Sequence, residues 1–438
     1  MKIKVSKESV VVQGPAFEDT IWGVCQFPHL AFDNEGNVCC NIHMADDVWE
    51  EIGVGNDVWY TSKDGGKTWG PSEKGLSPNV GTLLPNGDRI FFHAPPPIIV
   101  PIEEIKHARI FRNLIPSDKI EKMSDGSWPY PIFATNDMLS PYYVYNLDTL
   151  PDEYSKKEWS LTRIPAGSDE KIEQKSKIEQ PYLSINGAVK ETHLVALRPY
   201  PICKTKVDPD GNIWSCTYTG AHLNPYTGAP VRFSAVTLYK SVDNGKSFKL
   251  QSYIPFIPNA DEEPTAWLSP EFNENDIEFM PDGSIIVLMR TTNACTGGPE
   301  WTPMYFARST DGGKTFSKPT KFSDSGVLPS LVKLNCGVTL AAYGRLGIYV
   351  RATTDPSGQV WEDPIEIMTP NDRSHLMNNP PERPDFHQYA GSCCNVTLEP
   401  LDDHSAILAY SDFYYPDITG KTNKRYKTIL TRIISVEE

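Results

Sequence analysis

The 438-residue chain, 39% hydrophobic and 11% aromatic, is long enough for two or three ordinary domains or one large all-β repeat body, and its 56 acidic against 41 basic residues give a net charge of −15. That charge repels phosphate backbones and anionic membranes, which argues against nucleic acid and membrane partners; an anionic small molecule is admissible only where arginines gather in one pocket. The start, MKIKVSKESVVV, is too polar for a signal peptide, and no run reaches the ~18 to 20 apolar residues of a membrane span, so the chain reads as soluble and cytoplasmic.

Taken in order, KIKVSKESVVV is strand-like, and FPHLAFDNEGNVCCNIHM is a strand, a glycine-containing turn at Asp33 to Asn37 and a return strand. A third strand, NDVWYTSKDGGKTW, ends in the pattern S-x-D-x-G-x-T-W, filled by Ser62, Asp64, Gly66, Thr68 and Trp69. The pattern returns at Ser241, Asp243, Gly245, Ser247 and Phe248, and again at Ser309, Asp311, Gly313, Thr315 and Phe316. A looser copy holds Asp355, Gly358 and Trp361. Recurrence of this kind reports repeat architecture.

The strand–turn–strand segment recurs too, around PNGD (85 to 88), DPDGN (208 to 212), PDGS (281 to 284), LNCG (334 to 337) and DDHS (402 to 405). Two hairpins in series make a four-stranded meander. In the second repeat the outer hairpin falls on YYVYNLDTLPDEYSKKEWSLTRI, and in the sixth the N-terminal strand supplies the missing fourth. The expected fold is therefore all-β: a single six-bladed β-propeller domain over 1–438, its blades four-stranded and antiparallel and its last blade closed by the N-terminal strand. The blades span approximately 22–77, 78–165, 195–256, 270–323, 326–369, and 385–438 with 1–13.

Within the Asp hairpins, Asp accepts turn N–H groups, Gly takes the left-handed conformation and the aromatic packs between sheets, so the motif reads as a staple and not as catalytic machinery. Of the nine cysteines, Cys39, Cys40, Cys203, Cys216, Cys336, Cys393 and Cys394 sit in apolar strand-like runs, and no C-x-x-C or Cys/His ligand spacing is present. Reduced buried thiols are expected, with no metal and no cofactor.

Turns joining strands one to two and three to four fall on one face and are short; the long connections, such as 94 to 141 and 369 to 388, fall on the other. Function is expected at that built face, where second strands end and first strands begin. Those positions hold His43, Asp46, Asp47, His93, Tyr218, His222, Arg290, Arg345, Tyr410 and Asp412, with Gln26, His29, Glu274 and Tyr389 at first-strand starts.

These repeats resemble the sialidase superfamily of Asp-box β-propellers. NENDIEFMPDGSIIVLMR is similar to the family segment in which a glutamate assists a tyrosine nucleophile and an arginine grips the substrate carboxylate, which would be Glu274 and Arg290. YGRLGIYVRATTDPSGQVW resembles the segment of a second triad arginine, Arg345; HMADD stands where the family keeps its acid/base aspartate, Asp46 or Asp47; and HQYAGSCCNVTLEPL offers Tyr389 as nucleophile. Where the family opens its first inner strand with arginine, this chain has QFPHL and therefore Gln26. An amide cannot reproduce a bidentate guanidinium clamp.

The resemblance implies an exo-acting glycoside hydrolase on a small, acidic glycan, with catalytic Asp46 or Asp47, Glu274 and Tyr389 and with Arg290 and Arg345 binding a small-molecule or oligosaccharide substrate; Gln26, His93 and Asp412 of the strand-end ring are expected to join in binding it. A neutral phenol suits attack beside an anionic sugar, where a carboxylate nucleophile would be repelled. Two alternatives stay open. His43 with nearby Tyr and Arg is the equipment of a uronate lyase, and a non-catalytic glycan-binding propeller needs none of the chemistry.

Overall fold

A computed structural model describes residues 1–20, 23–46, 56–73, 77–101, 142–150, 152–190, 193–197, 200–201, 203–220, 222–231, 233–256, 271–291, 303–345, 347–369, 392 and 395–437. Among these the regular structure is β-sheet, with short 3-10 turns and no α-helix. No helix among them is long and apolar enough to cross a membrane.

Among the described residues the main strands fall, in chain order, into successive antiparallel units. Unit one is Gln26–Phe32, Val38–His43, Asp57–Ser62 and Gly70–Pro71; unit two is Thr82–Leu83, Arg89–Phe92, Glu158–Ile164 and Ile172–Glu179. Unit three is Thr205–Val207, Ile213–Tyr218, Val236–Ser241 and Ser247–Ile254; unit four is Asn275–Phe279, Ile285–Arg290, Met304–Ser309 and Thr320–Ser323. Unit five is Val327–Lys333, Thr339–Gly344, Ile348–Thr353 and Ile365–Met368. Unit six is Val396–Asp402, Ser405–Pro416, Arg425–Glu437 and, from the other end of the chain, Lys2–Val5, with Ser9–Ala16 also paired to Arg425–Glu437.

Two expectations are corrected here. Units two and three are not separate sheets: Ile172–Glu179 runs parallel to Ser247–Ile254, with Lys177 opposite Ser247, and the two meanders fuse into one eight-stranded sheet. That pairing saturates backbone groups that an outer edge strand would leave open. Nor is 142 to 164 one hairpin. Glu158–Ile164 pairs with Arg89–Phe92 and Ile172–Glu179, whereas Tyr142–Asn146 pairs with Ser184–Lys190 in an added four-stranded sheet completed by His193–Leu197 and Ile98–Pro101.

Each unit packs its sheet face on the next. Trp159, Leu161 and Ile178 of unit two meet Tyr239 and Phe248 of unit three; Trp214 and Leu238 of unit three meet Ile277 and Met289 of unit four; Leu288 of unit four meets Leu331 and Ala341 of unit five. Leu340 and Val350 then meet Leu398 and Leu408 of unit six. Ile407, Ala409 and Ile429 of unit six close on Leu30, Val38 and Ile42 of unit one, and Trp59 of unit one lies 6.1 Å from Phe91 of unit two. Burial of each such large side chain is worth roughly 1.5–3 kcal/mol before entropy.

The Asp hairpins lock these contacts. Asp64 Oδ1 accepts from Ser62 Oγ at 2.8 Å, Lys67 N at 3.0 Å and Thr68 N at 2.9 Å, while Oδ2 accepts from Thr68 Oγ1 at 2.7 Å. Asp243 and Asp311 repeat the same set with Ser247 and Thr315. The hairpin glycine is then the only residue that fits. Gly313, at φ +77°, would bring a Cβ within 2.6 Å of Trp214 on the preceding unit, and Gly66 would strike Ile407 of unit six.

First strands of all six units surround a cavity of about 790 Å³ that extends to the hairpin end, with His29, Lys206, Glu278, Lys333 and Glu399 among its walls. Two lysines of unit three cross it. Lys206 Nζ reaches Glu278 at 2.9 Å, Asp276 at 3.5 Å and the Leu331 carbonyl at 2.7 Å, and Lys204 reaches Glu399 at 2.8 Å. Burial pulls the Lys206 ammonium down, but Asp276 and Glu278 outweigh it and hold it above its ordinary value. These charges answer one another, so this central cavity is a tie between sheets and not the candidate site.

Candidate functional site

The end of the units opposite the hairpins is organised by register. Gln26 stands opposite His43 in unit one. In unit four, Arg290 N donates to the Glu274 carbonyl at 2.9 Å and Asn273 N to the Arg290 carbonyl at 3.0 Å, which seats Glu274 beside Arg290. In unit five Val327 faces Gly344, whose neighbour is Arg345; in unit six Asp412 faces Thr428. His93 directly follows the second strand of unit two, and Tyr218 ends that of unit three. These described candidates thus share one end of the molecule, whereas His29 stands further along its strand, opposite Asn41 in the wall of the central cavity. Asp47 and Tyr389 lie outside the described residues.

Glu274 is held from two sides. Its Oε1 takes Arg290 Nη1 at 2.8 Å, and Oε2 accepts Leu328 N at 2.8 Å from the first strand of unit five. Two residues on, Asp276 Oδ2 accepts Leu331 N at 2.7 Å from the same strand, so a pair of carboxylates from unit four grips the first strand of unit five. The Arg345 side chain is buried, 5% exposed, and its carbonyl accepts Ser325 Oγ. Burial pushes the Tyr218 phenol well above the usual value, the charge of Glu274 adds to this along with Tyr200 and Cys203, and Arg290 opposes them.

On unit one, His43 Nδ1 lies 3.1 Å from Asp57 Oδ1, and Nε2 faces the Asp46 carbonyl at 3.4 Å. Each ring nitrogen thus faces an acceptor, and whichever nitrogen carries hydrogen donates to it. Asp57 itself is oriented by Asn41, whose amide donates to Oδ2 at 3.2 Å once its oxygen faces Trp59 Nε1. His93 Nε2 donates to Thr162 Oγ1 at 2.6 Å, which donates to Glu173 at 2.9 Å; burial lowers the histidine although Glu173 raises it. His222 is a packing residue, bonded to Thr219, the Gly220 carbonyl and Tyr253, with burial pushing it down to about 4. Asp412, 5% exposed, accepts Tyr414 N at 2.8 Å.

Gln26 is unlike the others. It is fully buried, and among the described residues neither amide atom has a hydrogen-bond partner. Cys25 and Phe27 on either side have φ of 56° and 54°, a left-handed conformation costly for such residues, which turns the Gln26 side chain where an ordinary strand would not. Nearby, the ammonium of buried Lys427 donates to the Val24 carbonyl at 2.9 Å and lies 4.7 Å from the Phe413 ring.

Two residues escaped sequence reasoning. Asp57 is the cross-strand partner of His43, a fact of register that the segment NDVWY signals only once pairing is known. Glu271 is 3% exposed with φ +82°, its Oε1 has no partner among the described residues, and burial holds its carboxyl well above the usual range against the Ser234 amide. The pair of glutamates in EFNEN was the available signal. Among the described residues no group of three or more His, Cys, Asp or Glu gathers as metal ligands.

No protein-family model matches the sequence, and no curated protein matches it. Solved structures do. A Dyadobacter fermentans protein of unknown function superposes with a TM-score of 0.58 at 14% identity over 99% of both chains. The NanB sialidase of Streptococcus pneumoniae, in complex with 2-[(3-chlorobenzyl)ammonio]ethanesulfonate, does so at 0.50 and 13% identity over 98% of this chain and 70% of that one. The chain has the sialidase fold. An α-L-arabinanase of Penicillium chrysogenum is matched more loosely, with a TM-score of 0.45 at 12% identity over 97% and 98% of the chains. Sialidases are β-propeller glycoside hydrolases, so the sialidase fold gives the units a known architecture; at these identities it carries over the fold and not the chemistry.

Proposed function

We propose that the six meanders are the blades of a six-bladed β-propeller and that the chain is an exo-acting glycoside hydrolase on a small acidic glycan. The cyclic packing of units one to six supports the first part, and the sialidase fold supports the second. The observation that carries the reading is the 2.8 Å Glu274–Arg290 pair at the same end as buried Arg345, two guanidinium groups in a chain of net charge −15. Arg290 and Arg345 hold the substrate carboxylate. Gln26 bonds a hydroxyl or amide of the sugar, with His93 and Asp412 as further binding groups. Tyr389 attacks the anomeric carbon as Glu274 takes the phenolic proton, Asp46 or Asp47 protonates the departing oxygen, and water then releases the sugar from tyrosine. Gln26 in the arginine position points away from sialic acid as that sugar. The six cysteines among the described residues are free, which fits a reducing cytoplasm.

A non-catalytic glycan-binding role is favoured by one feature: both Glu274 oxygens are already engaged. A panel of chromogenic sialosides, uronides and arabinosides separates the readings. The hydrolase reading expects turnover on an acidic glycoside, reduced on the order of 100-fold or more by Glu274→Gln with binding retained. An ultraviolet-absorbing unsaturated product would mean elimination instead, and binding without turnover would mean a lectin-like role.

A further inference from the structure

Unit six buries a lysine where a hydrocarbon would pack at less cost. Lys427 of Arg425–Glu437 is 0% exposed; its ammonium donates to the Val24 carbonyl at 2.9 Å and stands 4.7 Å from the Phe413 ring. Taking an ammonium out of water is expensive, and methionine of the same length would escape the penalty.

What the bond fixes is a peptide plane. The Val24 carbonyl lies in the plane that leads into Cys25, and the φ of 56° at Cys25 is the rotation about the bond leaving that plane. The same turn is gripped twice more. Cys25 Sγ donates to the Lys427 carbonyl at 3.7 Å, and Gly14 of Ser9–Ala16 approaches so closely that a Cβ there would come within 2.5 Å of that sulfur. On the far side Phe27, with φ 54°, packs against Phe413, the ring beneath the Lys427 ammonium. Left-handed backbone at cysteine and phenylalanine persists only where neighbours enforce it. Both flanks of Gln26 are therefore held by unit six and the N-terminal strand paired to it, and between them stands an amide with both polar atoms unmet among the described residues.

We infer that Lys427 is a positioning residue for the candidate site: it holds the turn at Val24 to Phe27 in its left-handed form and so aims the Gln26 amide. The joining of the two chain ends in unit six then sets recognition at the start of unit one. That Gln26 meets a sugar rests on the proposed function; the tie from Lys427 to the turn does not.

The test is Lys427→Met, which keeps the stem beside Phe413 and removes the donor. In its crystal structure Cys25 should leave the left-handed region and the Gln26 amide should turn with it; an unaltered φ at Cys25 overturns the inference. Glucuronic acid is then titrated into the parent, Lys427→Met, Gln26→Met and the double variant. Lys427→Met should weaken binding by as much as Gln26→Met does, about tenfold, and the double variant should bind no more weakly than Gln26→Met alone. Losses that add would mean that Lys427 acts on the ligand by another route, and undiminished affinity would mean that it positions nothing; either overturns the inference. Lys427→Leu takes the place of the methionine variant where that does not fold, and failure of both to fold would assign Lys427 to stability alone and overturn it too. A turned Gln26 in a protein whose parent binds no glucuronic acid would uphold the tie while the acidic-sugar reading fails.

Discussion

The two ends of the units treat their polar side chains in opposite ways. At the hairpin end, Asp64 accepts four hydrogen bonds from its own turn, and those bonds, Thr68 first, hold its carboxyl far below the usual range. At the loop end, Gln26 and Glu271 are buried with oxygens or nitrogens unanswered among the described residues, and Cys25, Phe27 and Glu271 adopt left-handed backbone. The hairpin aspartates complete their bonding within their own turns. The loop end holds strain and unmet hydrogen-bonding capacity, which persist only where the surroundings enforce them and which mark sites of recognition.

The largest effect expected of this contrast is on stability, at the hairpin end. Trp214 is 1% exposed, donates to Asp208 at 2.8 Å and receives Gly313 of the next unit. Trp214→Ala should cost about 3–5 kcal/mol in denaturant unfolding, with ligand affinity of the folded fraction unchanged. A loss of affinity at full folding would show that the two ends are coupled and would break the separation.

The next prediction sharpens the loop end through pH. Glu271 keeps in the folded state a proton that the unfolded chain releases around the ordinary glutamate value of 4.5. Its stabilising contribution is therefore complete below that value and is lost as pH rises toward the folded one. Glu271→Gln removes the titration, so the variant should gain on the parent by a margin that widens as pH climbs above about 5. Urea midpoints of both chains from pH 4 to 8 measure it, and a margin independent of pH would mean that the carboxyl is ionised in the fold.

What could be read from the residues divides along the same line. The Asp hairpins and the pairing of Lys2–Val5 with Arg425–Glu437 follow from local chemistry and alternation, which act over a few residues. The fusion of units two and three does not, because Ile172–Glu179 reads as a strand wherever its edge partner comes from. Tyr142–Asn146 likewise carries no mark that its partner is Ser184–Lys190 and not the nearer Glu158–Ile164. At the site, chain order put Gln26, His43, Glu274, Arg290 and Arg345 at one end, but the Asp57 partner of His43 needed register. The buried Glu271 needed a positive φ that no glycine or asparagine announces.

The smallest predicted effect is the most pointed, since it asks one residue to gain stability by losing its use. The Gln26 amide is wholly buried without a partner for either polar atom among the described residues, and such groups cost about 1–3 kcal/mol. Gln26→Met keeps the length of the side chain and removes both polar atoms. It should raise unfolding free energy by about 1 kcal/mol and weaken the binding of glucuronic acid, measured by titration on the same preparation. Stabilisation with unaltered affinity would leave the amide outside the ligand's reach. Destabilisation would mean that the fold itself already uses that amide, and Gln26 would then belong with the self-satisfied groups of the hairpin end.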